Sequence, residues 1–122
     1  MKIAVTGSGV VSPAGWGAAP FLAAFEAGEP LPVEFRTRPA REDAPSRVRA
    51  VPKPAAKLPF LRHPRMRRTS PVGRFAVAAA LEALGEARAQ SVRDGALRLG
   101  VVTTLFCGCV NYSQRFYREV LD

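Results

Sequence analysis

The sequence predicts an α/β fold whose strands pair in parallel. Short aliphatic runs at residues 3–6 and 97–105 alternate with helical patterns at residues 18–27 and 73–89. Strands that alternate with helices usually connect through right-handed crossovers and lie parallel in one sheet. A chain of 122 residues is long enough for one such domain.

A glycine-containing turn follows the first predicted strand. Gly7 and Gly9 suit a turn in which the backbone adopts positive φ or passes close to another group, such as a phosphate. A dinucleotide-binding fingerprint requires a glycine or alanine where Ser12 stands, and a phosphate-binding loop requires a Gly-Lys-Ser/Thr sequence, which is absent. The pattern therefore favours a structural turn over a phosphate site.

Two helices are predicted on either side of a long proline-rich stretch. The first, at residues 18–27, has apolar side chains at near-helical spacing and ends at Gly28. The second, at residues 73–89, is rich in alanine and apolar almost all round, so it belongs inside a fold with cover on more than one side. Its few charged side chains are expected to meet water: Arg74, Glu82, Glu86 and Arg88.

The stretch between these helices, residues 29–71, combines prolines with arginines. It holds nine prolines and eleven basic against four acidic side chains, which accounts for most of the formal charge of +8. Prolines at this density exclude long helices and central strands, so we expect an extended excursion over the surface. Nucleic-acid binding fits the charge, but no aromatic stacking platform or known nucleic-acid-binding motif accompanies it, so this function is less favoured.

The last strand and helix follow from apolar spacing. Residues 97–105 are dense enough in aliphatic side chains for a strand that is buried on both faces. Asn111 suits the N-cap of a final helix, in which Tyr112, Phe116 and Val120 recur at four-residue spacing.

The cysteines do not form a recognisable site. Cys107 and Cys109 flank Gly108, and the chain holds one histidine, His63. Two cysteines without a nearby histidine or a further thiol cannot complete a tetrahedral metal site, and a disulfide between them would be strained. We therefore expect no metal, and two buried thiols in a non-oxidising compartment. A Cys107–His63 catalytic dyad lacks an orienting third group and is not favoured.

The sequence carries no sign of membrane targeting. No apolar run reaches the length needed to cross a bilayer. Polar residues interrupt the apolar start of the chain where a signal peptide would need its core. We expect no membrane partner and a cytoplasmic location.

Three blocks of sequence resemble the N-terminal part of a β-ketoacyl-acyl-carrier-protein synthase. Residues 3–15, IAVTGSGVVSPAG, match the family pattern VxITGxGxVSPxG, and residues 74–84 and 99–104 match the next two blocks in order. The resemblance covers nearly all 122 residues, most loosely at 29–62. It implies that residues 1–122 are a partial N-terminal domain of the thiolase-like layered α-β-α-β-α fold, with a parallel-strand core and a buried alanine-rich helix.

The resemblance implies a place in fatty acid or polyketide synthesis without catalysis by this chain alone. Such enzymes extend acyl chains by decarboxylative Claisen condensation, using one cysteine and two histidines in motifs that this sequence lacks. No catalytic residue is therefore assigned, and the chain alone is expected to be inactive. The alternative is a non-catalytic partner subunit of the chain-length-factor type. Either form implies a homodimer or a heterodimer with a synthase subunit.

Two non-catalytic sites follow from the same resemblance. Arg65, Arg67 and Arg68 fall where the family docks the acidic acyl carrier protein, which delivers the phosphopantetheine arm, so the chain needs no cofactor of its own. A solvated loop without a partner is the alternative for these arginines. The second site, where the family's acyl pocket lies near the dimer interface, corresponds to Phe106, Cys107 and Gly108. There Phe106 replaces a small residue and would fill part of the pocket, which implies either short or unusual acyl groups or a degenerate synthase-like subunit.

Overall fold

Helices and two small antiparallel sheets form the regular structure of the chain. The computed structural model describes residues 2–38, 41–104 and 110–121. In chain order the elements are β1 (Val11–Ser12), β2 (Gly15–Trp16), α1 (Ala18–Ala27), β3 (Glu34–Arg38), β4 (Arg41–Val48), a 3₁₀ helix (Pro59–Arg62), α2 (Pro64–Arg67), α3 (Pro71–Arg93) and α4 (Val110–Leu121).

The helix α1 has the predicted bounds. It ends at Gly28, which adopts a left-handed conformation with φ 67° and donates its N–H to the carbonyl of Phe25. The N-terminus of α1 has no cap from its own neighbourhood, because Gly17 lacks a side chain and the first turn contains no acidic residue. The first N–H groups of this helix are therefore left to water or to an acceptor from elsewhere in the chain.

The alanine-rich helix α3 is longer than predicted. It begins at Pro71 because the hydroxyl of Ser70 accepts the N–H of Gly73 at 3.2 Å and proline suits the first helical position. Gly85 interrupts the helix with φ 71° and ψ 162°, a backbone conformation that glycine adopts without a steric penalty. The helix therefore consists of two segments that meet at Gly85.

The final helix α4 is confirmed, but its predicted cap is wrong. The helix already includes Val110, so Asn111 lies inside it and does not occupy the N-cap. The thiol and acyl-pocket predictions at Cys107, Gly108 and their neighbours fall in the segment 105–109, which lies outside the described residues.

A hairpin that the sequence did not predict occupies part of the proline-rich stretch. The strands β3 and β4 pair antiparallel, with Glu34 opposite Val48 and Arg36 opposite Ser46. The register then shifts between Arg36 and Arg38, and Pro45, which has no N–H to donate, lies on the partner strand in this region. A two-stranded hairpin tolerates this shift because no further strand depends on its register.

The N-terminal segment lies along α3 with its backbone close to the helix backbone. An added Cβ at Gly7 or Gly9 would overlap the carbonyl oxygens of Ala83 and Ala79. The guanidinium of Arg88 donates a hydrogen bond of 3.0 Å to the carbonyl of Thr6. Only small side chains on both surfaces allow this approach, which explains why glycines face alanines here.

The two segments predicted as parallel strands are exposed, and their described residues form no strand in the structure. Residues 3–6 and 97–104 belong to neither sheet, and Val5 and Val102 are 92% and 97% exposed. In the described part of the chain only Gly15 and Ala89 are buried. The accessible surface of 10697 Å² compares with about 6,400 Å² for a compact protein of this size. The parallel-strand core of the α/β class stays a prediction, since these segments pair with nothing within the described residues.

Replacing the glycines on α3 should weaken the fold. We expect Gly7→Ala and Gly9→Ala each to lower the free energy of unfolding by about 1–3 kcal/mol, because the methyl group would overlap a helix carbonyl. Urea denaturation followed by the fluorescence of Trp16 measures this change. Gly100→Ala is the control, since no atom lies within 4 Å of its added methyl group. An equal loss in the control would contradict the proposed contact.

Candidate functional site

Three arginines lie together on a short turn of helix in front of α3. Arg65 and Arg67 belong to α2, and Arg68 follows it as the C-cap; we call Pro64 to Arg68 the arginine turn. Pro64 fixes the start of the turn, and Nδ1 of His63 accepts the N–H of Arg65 at 3.3 Å. These contacts place the three predicted docking residues on one local surface.

Arg74 connects the arginine turn to α3. Its Nε donates to the carbonyl of Met66 and its Nη2 to the carbonyl of Arg67, both at 3.1 Å. Two parallel donors on one planar group fix orientation as well as distance. The hydroxyl of Thr69 also donates to the carbonyl of Arg65 at 2.9 Å. The carbonyls of Arg65, Met66 and Arg67 therefore accept hydrogen bonds from Thr69, which precedes α3, and from Arg74 in its first turn.

The arginine turn is exposed and positively charged. Pro64, Arg65, Arg67 and Arg68 line an open concavity of about 510 Å³. Within the parts of the chain that the structure describes, no acidic side chain pairs with these three arginines, while ion pairs such as Arg93–Glu86 lie elsewhere. Clustered cations without counter-charges attract anions and speed encounter with an acidic partner.

A second cluster, which the sequence did not reveal, centres on Glu82. Its Oε2 accepts the N–H of Val10 at 2.9 Å, and its Oε1 accepts the N–H of Ala18, the first residue of α1, at 2.6 Å. The N–H of Gly17 donates to the carbonyl of Val10 at 2.9 Å. One carboxylate of α3 thus holds both the β1–β2 hairpin and the start of α1.

Trp16, at the end of this hairpin, is held on two sides. Its Nε1 donates to the carbonyl of Pro52 at 2.7 Å. Its ring meets the ring of Phe75 edge-on, with centroids 5.4 Å apart and planes at 79°. An edge-to-face pair with a satisfied indole N–H fixes the ring in one orientation.

Comparison with protein-family models, with curated proteins and with solved structures found no match to this chain. Within residues 2–38, 41–104 and 110–121, no helix is long and apolar enough to cross a membrane. Over the same residues, no group of histidine, cysteine, aspartate or glutamate side chains is arranged to hold a metal ion.

The predicted site residues fall into two groups. Arg65, Arg67 and Arg68 are brought together, whereas Phe106, Cys107 and Gly108 lie outside the described residues. The Cys107–His63 pair is likewise untested, and His63 already caps α2.

The sequence contained one sign of the contacts that were not predicted, namely isolated charged residues on an otherwise apolar helix. Glu82 and Arg88 are exposed as expected and Arg74 is half-buried, but all three also bind backbone groups.

Removing the Glu82 carboxylate should release the hairpin and the start of α1 together. We expect Glu82→Ala to lower the free energy of unfolding by about 0.5–2 kcal/mol, because the start of α1 loses its capping acceptor and the N–H of Val10 loses its partner. Glu82→Gln keeps one acceptor oxygen and should have a smaller effect. Amide hydrogen exchange at Val10 and Ala18 measures the local change.

The matched control for this experiment is Glu86→Ala on the same helix. Glu86 forms an exposed ion pair with Arg93, and its loss should change stability by about 0.5 kcal/mol or less. Exchange at Ala18 that stays unchanged in Glu82→Ala would show that the carboxylate does not cap α1.

Proposed function

We propose that this chain is the N-terminal portion of a β-ketoacyl synthase-like protein and that its arginine turn docks an acyl carrier protein. The three sequence blocks at residues 3–15, 74–84 and 99–104 support the first part of the proposal. The observation that carries the second is the exposed arginine turn, which Arg74 fixes from behind and which has no acidic partner among the described residues.

The physical role of the arginine turn is to attract and orient an acidic partner. A single exposed ion pair contributes about 1 kcal/mol or less, so affinity does not come from one arginine. Several like charges on one surface raise the rate of encounter and favour one orientation of the partner. The hydrogen bonds from Arg74 to the backbone reduce the freedom that the turn would lose on binding.

Docking, and not condensation, is the function proposed for these residues. The cysteine and histidine motifs of condensing enzymes are absent from the sequence, so catalysis would belong to a synthase subunit in the same assembly. The open aliphatic segments at residues 3–6 and 99–104 support such an assembly, since exposed segments of this composition would gain stability by pairing with strands of a further subunit or domain. A cytoplasmic location is part of this proposal.

Charge reversal on the arginine turn tests the docking proposal. We expect Arg67→Glu/Arg68→Glu to slow association with an immobilised phosphopantetheinylated acyl carrier protein by about tenfold or more at low ionic strength. The dissociation rate should change less, because exposed charges act mainly on encounter. Biosensor kinetics at two salt concentrations separate the two rates.

The matched control reverses two exposed arginines at other places, Arg47 and Arg98. Arg47→Glu/Arg98→Glu changes the net charge by the same amount, and we expect a decrease in association rate of about threefold or less. An equal decrease in association rate in both double variants would show that net charge, and not the arginine turn, determines the rate. Tighter binding of a DNA or RNA duplex than of the carrier protein, with a steep salt dependence, would favour nucleic-acid binding instead.

A further inference from the structure

A mostly apolar cleft lies between the β1–β2 hairpin, the approach to the 3₁₀ helix and α3. Its volume is about 340 Å³, at the lower end of the range of about 300–1,000 Å³ for small-molecule sites. The side chains that line it are mainly aliphatic and aromatic: Val10, Val11, Trp16, Leu58, Phe60 and Leu81.

The walls of this cleft are fixed before any ligand binds. The ring of Trp16 is held by Pro52 and Phe75. Glu82, a charged residue of the lining, already accepts two backbone N–H groups with its two oxygens. A carboxylate with satisfied oxygens gains little from a ligand donor, so the cleft favours an alkyl group over a polar one.

Two parts of the chain connect the cleft to the arginine turn. Phe60, which lines the cleft, belongs to the 3₁₀ helix that directly precedes α2. On the other side, the consecutive residues Arg74 and Phe75 contact the arginine turn and Trp16. The cleft and the arginine turn therefore lie on directly connected elements, through Phe60 on one side and the start of α3 on the other.

We propose that the cleft binds the alkyl tail of a monomeric anionic amphiphile, whose carboxylate or phosphate head is bound by Arg65, Arg67 and Arg68. The argument is charge complementarity, since a tail that fits an apolar cleft and a head that suits guanidinium groups belong to the same molecule. The proposal does not depend on carrier-protein docking, because it shares the arginines with that function but adds the cleft.

Trp16 reports on this site without a label, since it is the one tryptophan of the chain. Titration of the 122-residue chain with n-decyl phosphate, below its critical micelle concentration, should give a saturable change in tryptophan fluorescence. From hexyl to decyl phosphate, each added methylene should tighten binding by about threefold to fourfold. Affinity that does not depend on chain length would overturn the proposal.

Head-group controls use the same readout. Decyltrimethylammonium carries the same tail with the opposite charge and should bind at least about tenfold more weakly, as should inorganic phosphate, which has no tail. Equal binding of the cation would exclude a role for the arginines. Binding to phosphatidylglycerol vesicles with none to monomeric decyl phosphate would indicate a membrane surface and overturn the assignment of a monomeric ligand.

Two substitutions on one helix distinguish binding in the cleft from binding elsewhere on the surface. Ala78→Phe places a ring in the cleft, because Ala78 lines it, and should weaken decyl phosphate by about tenfold or more. Ala80→Phe, at an exposed position of the same helix, is the matched control and should leave the affinity within about twofold. An equal effect of both substitutions, with helix content unchanged by circular dichroism, would place the tail elsewhere.

The same variants distinguish this proposal from carrier-protein docking. Ala78→Phe should impair decyl phosphate binding and leave carrier-protein association unchanged, whereas Arg67→Glu/Arg68→Glu should impair both. Carrier-protein docking that persists without any amphiphile binding in the unmodified chain would overturn the amphiphile site alone. Amphiphile binding without carrier-protein association would overturn the docking function alone.

Discussion

The carboxylate of Glu82 is the interaction on which the N-terminal half of the structure depends. The helix α1 begins after a glycine, with no side-chain cap and no acidic residue in its first turn. Glu82 supplies from α3 both the missing hydrogen-bond acceptor and a negative charge at the positive end of the helix dipole. Because its second oxygen binds Val10 in the segment before β1, one side chain sets the position of two elements.

Close backbone packing against α3 also positions the N-terminal segment. Gly7 and Gly9 lie against the carbonyls of Ala83 and Ala79, one helical turn apart on α3. The hydrogen bond from Arg88 to Thr6 continues the same line of contacts toward the N-terminus. Small residues on both surfaces leave room for the backbone but provide little apolar area to bury. Backbone contacts therefore fix the position of the N-terminal segment on α3, but most of its side-chain surface stays exposed.

The sequence predicted those features of the fold that depend on residues close together in the chain. The bounds of α1 follow from apolar spacing and from Gly28, and the body of α3 follows from its alanine content. Asn111 is not the cap because α4 already includes Val110. The β3–β4 hairpin was missed because its prolines argue against strands, although an isolated two-stranded sheet has no central strand for proline to disrupt.

The site was only partly predictable for a different reason. Arg65, Arg67 and Arg68 are close in sequence, so any turn brings them together. Glu82 binds residues that are 72 and 64 positions away, and a contact of that range leaves no trace in local periodicity. The sequence showed only an acidic residue on an apolar helix, which predicts the surface exposure that Glu82 has but not its backbone partners.

The start of α3 connects the two surfaces that carry the functional proposals. Arg74 fixes the carbonyls of the arginine turn, while the next residue, Phe75, packs against the Trp16 ring of the apolar cleft. A small shift of this helical turn would therefore change the orientation of the arginines and the shape of the cleft together. Since the amphiphile head and the carrier protein would both use Arg65, Arg67 and Arg68, an amphiphile bound in the cleft would compete with carrier-protein docking, and each ligand would lower the apparent affinity for the other.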